Sequence, residues 1–344
     1  MIQAIKKEIE DRKSFIKNPI TSIYYGGGTP SIINPDAISH ILDAIYKNYN
    51  IDKSPEITLE CNPEDISEKK LVAWKKSGIN RLSIGVQSFD NNILKIMNRA
   101  HNSEQSIKSI KKAQDIGYEN ISIDLIYGFP SQSATSWEED LIKMLNLKTP
   151  HFSAYCLTIE KKTPIKKLID KGIIKNIDEE KILIQYEKLT EIAKKNNFIE
   201  YEISNFGKKD FFSKHNISYW SNKIFLGVGP SSHSFNKNTR RWNIASNRKY
   251  IEKINNNEIY WESEKLKVND RYNEYILTKL RTIWGLNIEE VKDRFGIKFK
   301  RHLLMQINKW VSSGDIIKNG DSITLNEKGK LFADKIASDL FFIC

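Results

Sequence analysis

From residue 20 to about residue 204, short runs rich in β-branched residues alternate with amphipathic stretches. Runs at 21–25, 56–61, 81–86, 121–127, 152–158 and 199–203 read as strands. Between them, 35–49, 68–77 and 103–116 have the spacing of amphipathic helices. So does 179–195, which sets Ile182, Tyr186, Leu189 and Ala193 on one face. Strands separated by helices in this way build βαβ units and a parallel sheet. A further amphipathic helix, from residue 1 to about 17, precedes the first strand. Past residue 205 the alternation stops, and 205–262, rich in Asn, Ser, aromatics and glycine, is predicted to be a loop-rich connector. Helices are then predicted near 271–282, 288–295 and 300–312, with a hairpin over 316–325 turning at Asn319-Gly320. The expected units are therefore 1–204, 205–262 and a small winged-helix-like α+β domain over 263–344.

Polar residues decide what shape the first unit takes. Gly26-Gly27-Gly28-Thr29 follows the first strand, Glu60 and Asn62 end the second, and Gln87 ends the third. Asp124 lies within the fourth, and Tyr155 and Thr158 sit in or beside the fifth. Polar groups crowning several different strands mark a (β/α) barrel, whereas a doubly wound sheet gathers its contacts at one switch point. With about six strands in the pattern, the α/β barrel is expected to be partial.

Composition narrows the function classes. With 344 residues, 40% hydrophobic and 28% charged, the chain is a globular protein of roughly two domains. No uninterrupted apolar run reaches bilayer length, and the opening segment lacks the apolar region of a secretory signal, so a cytoplasmic address is expected. The net charge of +11 comes mostly from lysines spread evenly, with only short clusters such as Lys208-Lys209. That is the pattern of solvated faces, and no nucleic-acid partner is expected even with a winged-helix-like terminus. The three cysteines, Cys61, Cys156 and Cys344, share no metal-ligand or redox spacing.

The candidate chemistry begins at Tyr25-Gly26-Gly27-Gly28-Thr29-Pro30, where a bare backbone after a strand lets a ligand reach N–H and C=O groups. The string is not a phosphate loop, which excludes the usual nucleoside triphosphate chemistry. Glu60 can accept hydrogen bonds from an ammonium or a ribose, Gln87 and Asp124 can bind hydroxyls, and Arg99 can clamp a carboxylate. An amino acid joined to a nucleoside needs all of these.

Taken in order, Tyr-Gly-Gly-Gly-Thr-Pro, Glu60-Cys-Asn-Pro63, Gly85-Val-Gln-Ser-Phe89, Asn98-Arg99 and Asp124-Leu-Ile-Tyr-Gly-Phe-Pro130 resemble one family. It is the radical S-adenosylmethionine family of the oxygen-independent coproporphyrinogen III oxidases and their heme-chaperone relatives. The resemblance covers nearly the whole chain. It implies that Gly27, Gly28, Thr29, Glu60, Gln87, Arg99, Asp124 and, on a looser match, Thr158 contact S-adenosylmethionine. His215-Asn-Ile-Ser-Tyr219-Trp220 resembles the heme-binding signature of the chaperone branch, with His215 as the iron ligand and Tyr219 and Trp220 packing on the porphyrin. The implied function is heme binding and transfer to an acceptor protein, membrane-associated acceptors included; the alternative is porphyrinogen oxidation, which this chain is expected not to perform.

One departure carries weight. Family members hold a [4Fe–4S] cluster on a CxxxCxxC loop after their first barrel strand, ahead of the helix that leads to the glycine triplet. Here that helix opens the chain, so the first strand and the cluster loop are missing, and truncation of a longer protein is the expectation. No catalytic residue is assigned to the chain as it stands.

Overall fold

The computed structural model describes residues 1–161, 163–176 and 178–343. After α1 (Ile2–Asp11), five strands run parallel in chain order: β1 (Ile20–Tyr25), β2 (Ile51–Cys61), β3 (Arg81–Gln87), β4 (Asn120–Tyr127) and β5 (His151–Cys156). The connections carry α2 (Pro35–Asn48), α3 (Glu68–Lys76), α4 (Asn91–Ile96), α5 (Ser103–Asp115) and α6 (Ala134–Asn146). Beyond β5 come α7 (Pro164–Asp170) and α8 (Glu179–Lys195). Side-chain caps start these helices where the sequence supplies them: Asn34, Ser67, Ser133 and Asp178 each accept an N–H of the first turn. At α5, Asn102 and Gln105 cap each other reciprocally.

Through Gln87 of β3 and as far as Leu125 of β4, the strands alternate between an apolar outer face and a polar inner one. Leu82, Ile84 and Val86 of β3 and Ile121, Ile123 and Leu125 of β4 are buried against Leu71, Trp74, Ile110 and Leu141 of the helices. The intervening Arg81, Ser83, Gln87, Ser122 and Asp124 face the other way. Strands buried on both faces normally read as continuous hydrophobic runs; these enclose a polar lumen instead.

The sheet curls into a partial barrel of seven strands, ordered β1-β2-β3-β4-β5-β7-β6, with β6 (Ile199–Glu202) and β7 (Asn205–Gly207) forming a tight hairpin. The expected sixth strand does not lie beside the fifth. Antiparallel β7 wedges between β5 and β6, because a two-residue link can only double back. Among the described residues β1 pairs with β2 alone, so it forms one edge of the sheet.

Residues 205–262, expected to be loop-rich, are ordered. Besides β7 they hold α9 (Lys214–Trp220), β8 (His233–Phe235), β9 (Thr239–Asn243), α10 (Asn247–Asn255) and the start of β10 (Trp261–Lys265). The last three strands form an antiparallel sheet ordered β10-β9-β8. Strands of three to five residues are too short to display a period, which is why the pattern was silent there.

The terminal region has its own core of Tyr272, Tyr275, Ile276, Leu303 and Ile336. It comprises α11 (Val268–Leu280), β11 (Leu286–Asn287), α12 (Ile288–Phe295), α13 (Ile297–Ser312), β12 (Ile316–Asn319), β13 (Ser322–Leu325), α14 (Glu327–Leu331) and α15 (Ala333–Asp339). Its strands pair antiparallel in the order β11-β13-β12, the winged-helix-like arrangement the sequence suggested.

Candidate functional site

The lumen opens into a cavity of about 300 Å3. Gly28 and Thr29 reach it from the loop after β1, and Glu60 and Asn62 from the end of β2. Arg81, Ser83, Gly85 and Gln87 line it along β3, Asp124 from β4, and Ser153 and Tyr155 from β5. Arg99 from the turn after α4 and Asn216 of α9 complete the walls named here. Glu60, Gln87, Arg99 and Asp124, scattered through the sequence, thus converge on one hollow.

The glycine loop is a cradle with room in it. Gly27 and Gly28 hold φ of +75° and +99°, and a methyl group built on either meets nothing within 4 Å. Only glycine takes that backbone without strain, and the space beside it is left for a ligand. Gly85 is constrained differently, since a Cβ there would lie 2.8 Å from the Gln87 amide nitrogen. Gln87 itself adopts φ of +67°, rare for a residue with a side chain, at a break in the β3–β4 register.

Arg99 donates through Nη2 to Asn62 Oδ1 at 2.9 Å and to the Gly85 carbonyl at 3.3 Å, while its Nε has no partner. Two neutral acceptors leave the guanidinium charge uncompensated and suited to a carboxylate. Asp124 accepts from Ser83 Oγ at 2.9 Å, yet burial outweighs those bonds and lifts its pKa to about 6. Tyr24 donates its hydroxyl to Glu60 Oε1 at 2.7 Å, and burial with the Glu60 charge pushes the phenol pKa up.

Tyr24 also joins this cavity to the HNxxYW helix. The His215 ring stacks on Tyr24 at 4.3 Å, and Tyr219 meets His215 edge-on at 4.9 Å. Burial and the Arg81 charge lower the His215 pKa to about 4, so the imidazole is neutral at pH 7. Its ring makes no side-chain hydrogen bond among the described residues. The helix is pinned by a residue the sequence reading overlooked. Buried Glu56 of β2 accepts the amides of Lys214 and His215 at 3.0 Å each, and the Ser213 hydroxyl at 3.3 Å.

Two expected residues stand apart from these clusters. Thr158 lies beyond the end of β5, exposed, and is not among the cavity-lining residues; Ser153 and Tyr155 represent that strand instead. Leu157 donates the last rung of the β4–β5 ladder to the Tyr127 carbonyl, and Thr158 follows where the pairing has ended. Trp220 makes no ring contact with His215 among the described residues and lies under the Arg281 guanidinium at 5.3 Å. Gly27 shapes the loop without lining the cavity.

A cluster has no ligand set among the described residues. Cys61 is buried on β2 with its thiol toward the Leu59 carbonyl, Cys156 is exposed at the end of β5, and Cys344 lies outside the described residues. No group of three or more His, Cys, Asp or Glu residues is placed to hold a metal ion among those described.

Comparison with known proteins agrees with this geometry. Residues 2–144 match the Radical SAM superfamily, and residues 266–332 match the HemN C-terminal domain. The chain is 32% identical over 325 residues to the heme chaperone HemW of Lactococcus lactis, spanning 94% of this chain and 86% of that one. The heme chaperone HemW of Bacillus subtilis is 31% identical, with 92% and 84% covered. Among solved structures, the radical SAM enzyme coproporphyrinogen III oxidase (HemN) from Escherichia coli superposes with a TM-score of 0.83. That match covers 98% of this chain and 82% of the other at 20% identity, a likeness of fold.

Proposed function

Because the chain belongs to the HemW family of radical SAM proteins, we propose that it binds heme through His215, binds S-adenosylmethionine in the barrel cavity, and passes heme to an acceptor protein. The observation that carries the heme reading is the state of His215. A ligand to heme iron must be a neutral imidazole with a free nitrogen, held in place by something other than its ring nitrogens. Burial keeps His215 neutral, Tyr24 braces its face, and Glu56 holds its backbone. Tyr219, edge-on to the same imidazole, is the aromatic neighbour for a porphyrin. Trp220 belongs to the proposed site only if it leaves Arg281.

For S-adenosylmethionine, Gly27, Gly28 and Thr29 would accommodate the ligand against bare backbone, and Arg99 would take the carboxylate. Glu60 would take the ammonium or ribose, and Gln87 and Asp124 the hydroxyls. In the superfamily a [4Fe–4S] cluster with S-adenosylmethionine supplies radical chemistry. The described residues do not fit such a cluster, and no radical step is assigned to them. No helix among the described residues is long and apolar enough to cross a membrane, so contact with a membrane-associated acceptor would be made from the surface.

A hemin titration followed in the Soret region tests the proposal. Wild type is expected to give the shifted band of imidazole-bound heme. His215→Ala should lose that band or require at least about ten times more hemin. An unchanged titration in the variant would remove His215 as the ligand.

A further inference from the structure

The cavity extends past the residues assigned to S-adenosylmethionine, down β3 to Arg81 at the opposite end of the strand. Arg81 is 2% exposed and forms no ion pair among the described residues. Among the described residues its one hydrogen-bonded contact is Nη2 with His151 Nδ1 at 3.4 Å, and Nε has no partner there. His151 is not a counter-ion. Its Nδ1 already meets Ser122 Oγ at 2.7 Å, and its Nε2 meets the Tyr201 hydroxyl at 2.8 Å.

Beside Arg81, its register partner on β2 is Thr58, fully buried and just outside the lining of the cavity, whose hydroxyl also lacks a partner among the described residues. Paired residues of parallel strands share a face. A buried guanidinium held by no ion pair, with only the longer-range attraction of Asp124, next to an orphan hydroxyl is costly to fold, and the cost is relieved by an anion that both can reach.

We propose that Arg81 and Thr58 form a second anion subsite at the deep end of the lumen, which takes a carboxylate carried by a small organic ligand. A planar two-oxygen group matches a guanidinium fork plus a hydroxyl donor. Glu60 and Asp124 line the same cavity and disfavour a dianion such as phosphate. The site is separate from Arg99, which binds the Gly85 carbonyl. Gly85 lies four positions along β3 from Arg81, about 13 Å of strand. The subsite stands on its own whether or not Arg99 holds S-adenosylmethionine.

Acetate is the probe, titrated into the full chain against equal ionic strengths of chloride and sulfate, and followed by thermal unfolding and by the line width of carboxyl-labelled acetate. The titration is run in wild type and in Arg99→Gln, which silences the carboxylate site at the mouth. Saturable acetate binding is expected to persist in Arg99→Gln, with sulfate at least about ten-fold weaker. Adding Arg81→Gln should abolish it. Thr58→Val on the same background should fold at least as stably as its parent, since it removes an unsatisfied hydroxyl, and should bind acetate several-fold more weakly. The subsite is refuted if acetate does no more than chloride in Arg99→Gln, or if Arg81→Gln binds it equally well. If Arg81→Gln does not fold, Thr58→Val decides, and unchanged acetate binding there refutes it. Loss of S-adenosylmethionine binding in Arg99→Gln, read separately, bears only on the cofactor assignment.

Discussion

Asp124 is a buried carboxylate whose cost in stability the proposed ligand would recover. Its pKa rises from 3.8 to about 6 because burial penalises the charged form more than the serine hydrogen bonds favour it. Between those values the folded chain binds a proton that the unfolded chain does not, so Asp124 makes stability fall as pH climbs from about 4 to about 6, and the loss stays constant above. Asp124→Asn removes the penalty while keeping an oxygen to accept from Ser83. At pH 7.5 the variant is expected to be more stable than wild type by up to about 3 kcal/mol, taken as two pK units at 1.36 kcal/mol each. By pH 4.5 most of that gain should be gone. Urea denaturation at both pH values measures it, and a difference that does not change with pH would show that Asp124 is not the titrating group. Asp140, also raised to about 6, is present in both proteins and cancels. The same substitution should weaken S-adenosylmethionine binding about ten-fold in equilibrium dialysis, since the carboxylate loses its stronger acceptor character. Stability gained while affinity falls separates a binding residue from a packing one.

At the scale of elements, the short helix α9 depends on Glu56. Seven residues are too few for a helix to persist on its own, and three donors of its first turn converge on one carboxylate of β2. Hydrogen bonds to a buried charge contribute more than neutral ones, so Glu56→Ala should cost about 2–3 kcal/mol. Hydrogen exchange should speed up first at the amides of Lys214 and His215, ahead of global unfolding. Exchange there as slow as in wild type would show that the helix is held by its other contacts.

This dependence explains what the sequence could and could not reveal. The βαβ alternation, the glycine loop and the residues crowning the strands are local patterns, and they led to the barrel and to one wall after another of the cavity. The polar lumen was also written locally, as Arg-Leu-Ser-Ile-Gly-Val-Gln in β3 and Asn-Ile-Ser-Ile-Asp in β4, where every second residue is polar or glycine. Reading only the strand ends missed Arg81, Ser83, Ser122 and His151. Glu56 was out of reach altogether, because its partners lie 157 to 159 positions away and nothing near Glu56 in sequence announces them. The fifth strand was expected to run to Thr158 but ends at Cys156, since nothing in Phe-Ser-Ala-Tyr-Cys-Leu-Thr marks where the pairing with β4 stops.

On the scale of the whole molecule, the opening helix is fastened to the β8–β10 sheet rather than to its sequence neighbours alone. Glu8 is fully buried and accepts from Tyr250 Oη at 2.6 Å, from the Gly229 amide at 2.9 Å, from Asn243 Nδ2 at 2.8 Å and from Arg12 at 3.2 Å. Arg12 in turn donates to the Gly227 carbonyl and the Ser234 hydroxyl, both at 3.0 Å. Every donor except Arg12 lies more than 200 residues away in the chain, so the contact forms only when distant segments have already met. Removing one member of a buried ion pair leaves the other uncompensated, and Glu8→Ala should therefore cost about 3–5 kcal/mol. Limited proteolysis should then cut within 225–265 before the terminal domain, whose core makes no use of Glu8. Replacing both charges, as in Glu8→Met with Arg12→Met, normally restores a buried pair's stability. Here the rescue should be partial, because the Asn243, Tyr250 and Gly229 donors would still be stranded. A double variant as stable as wild type would mean that water reaches those donors and that the network is not sealed.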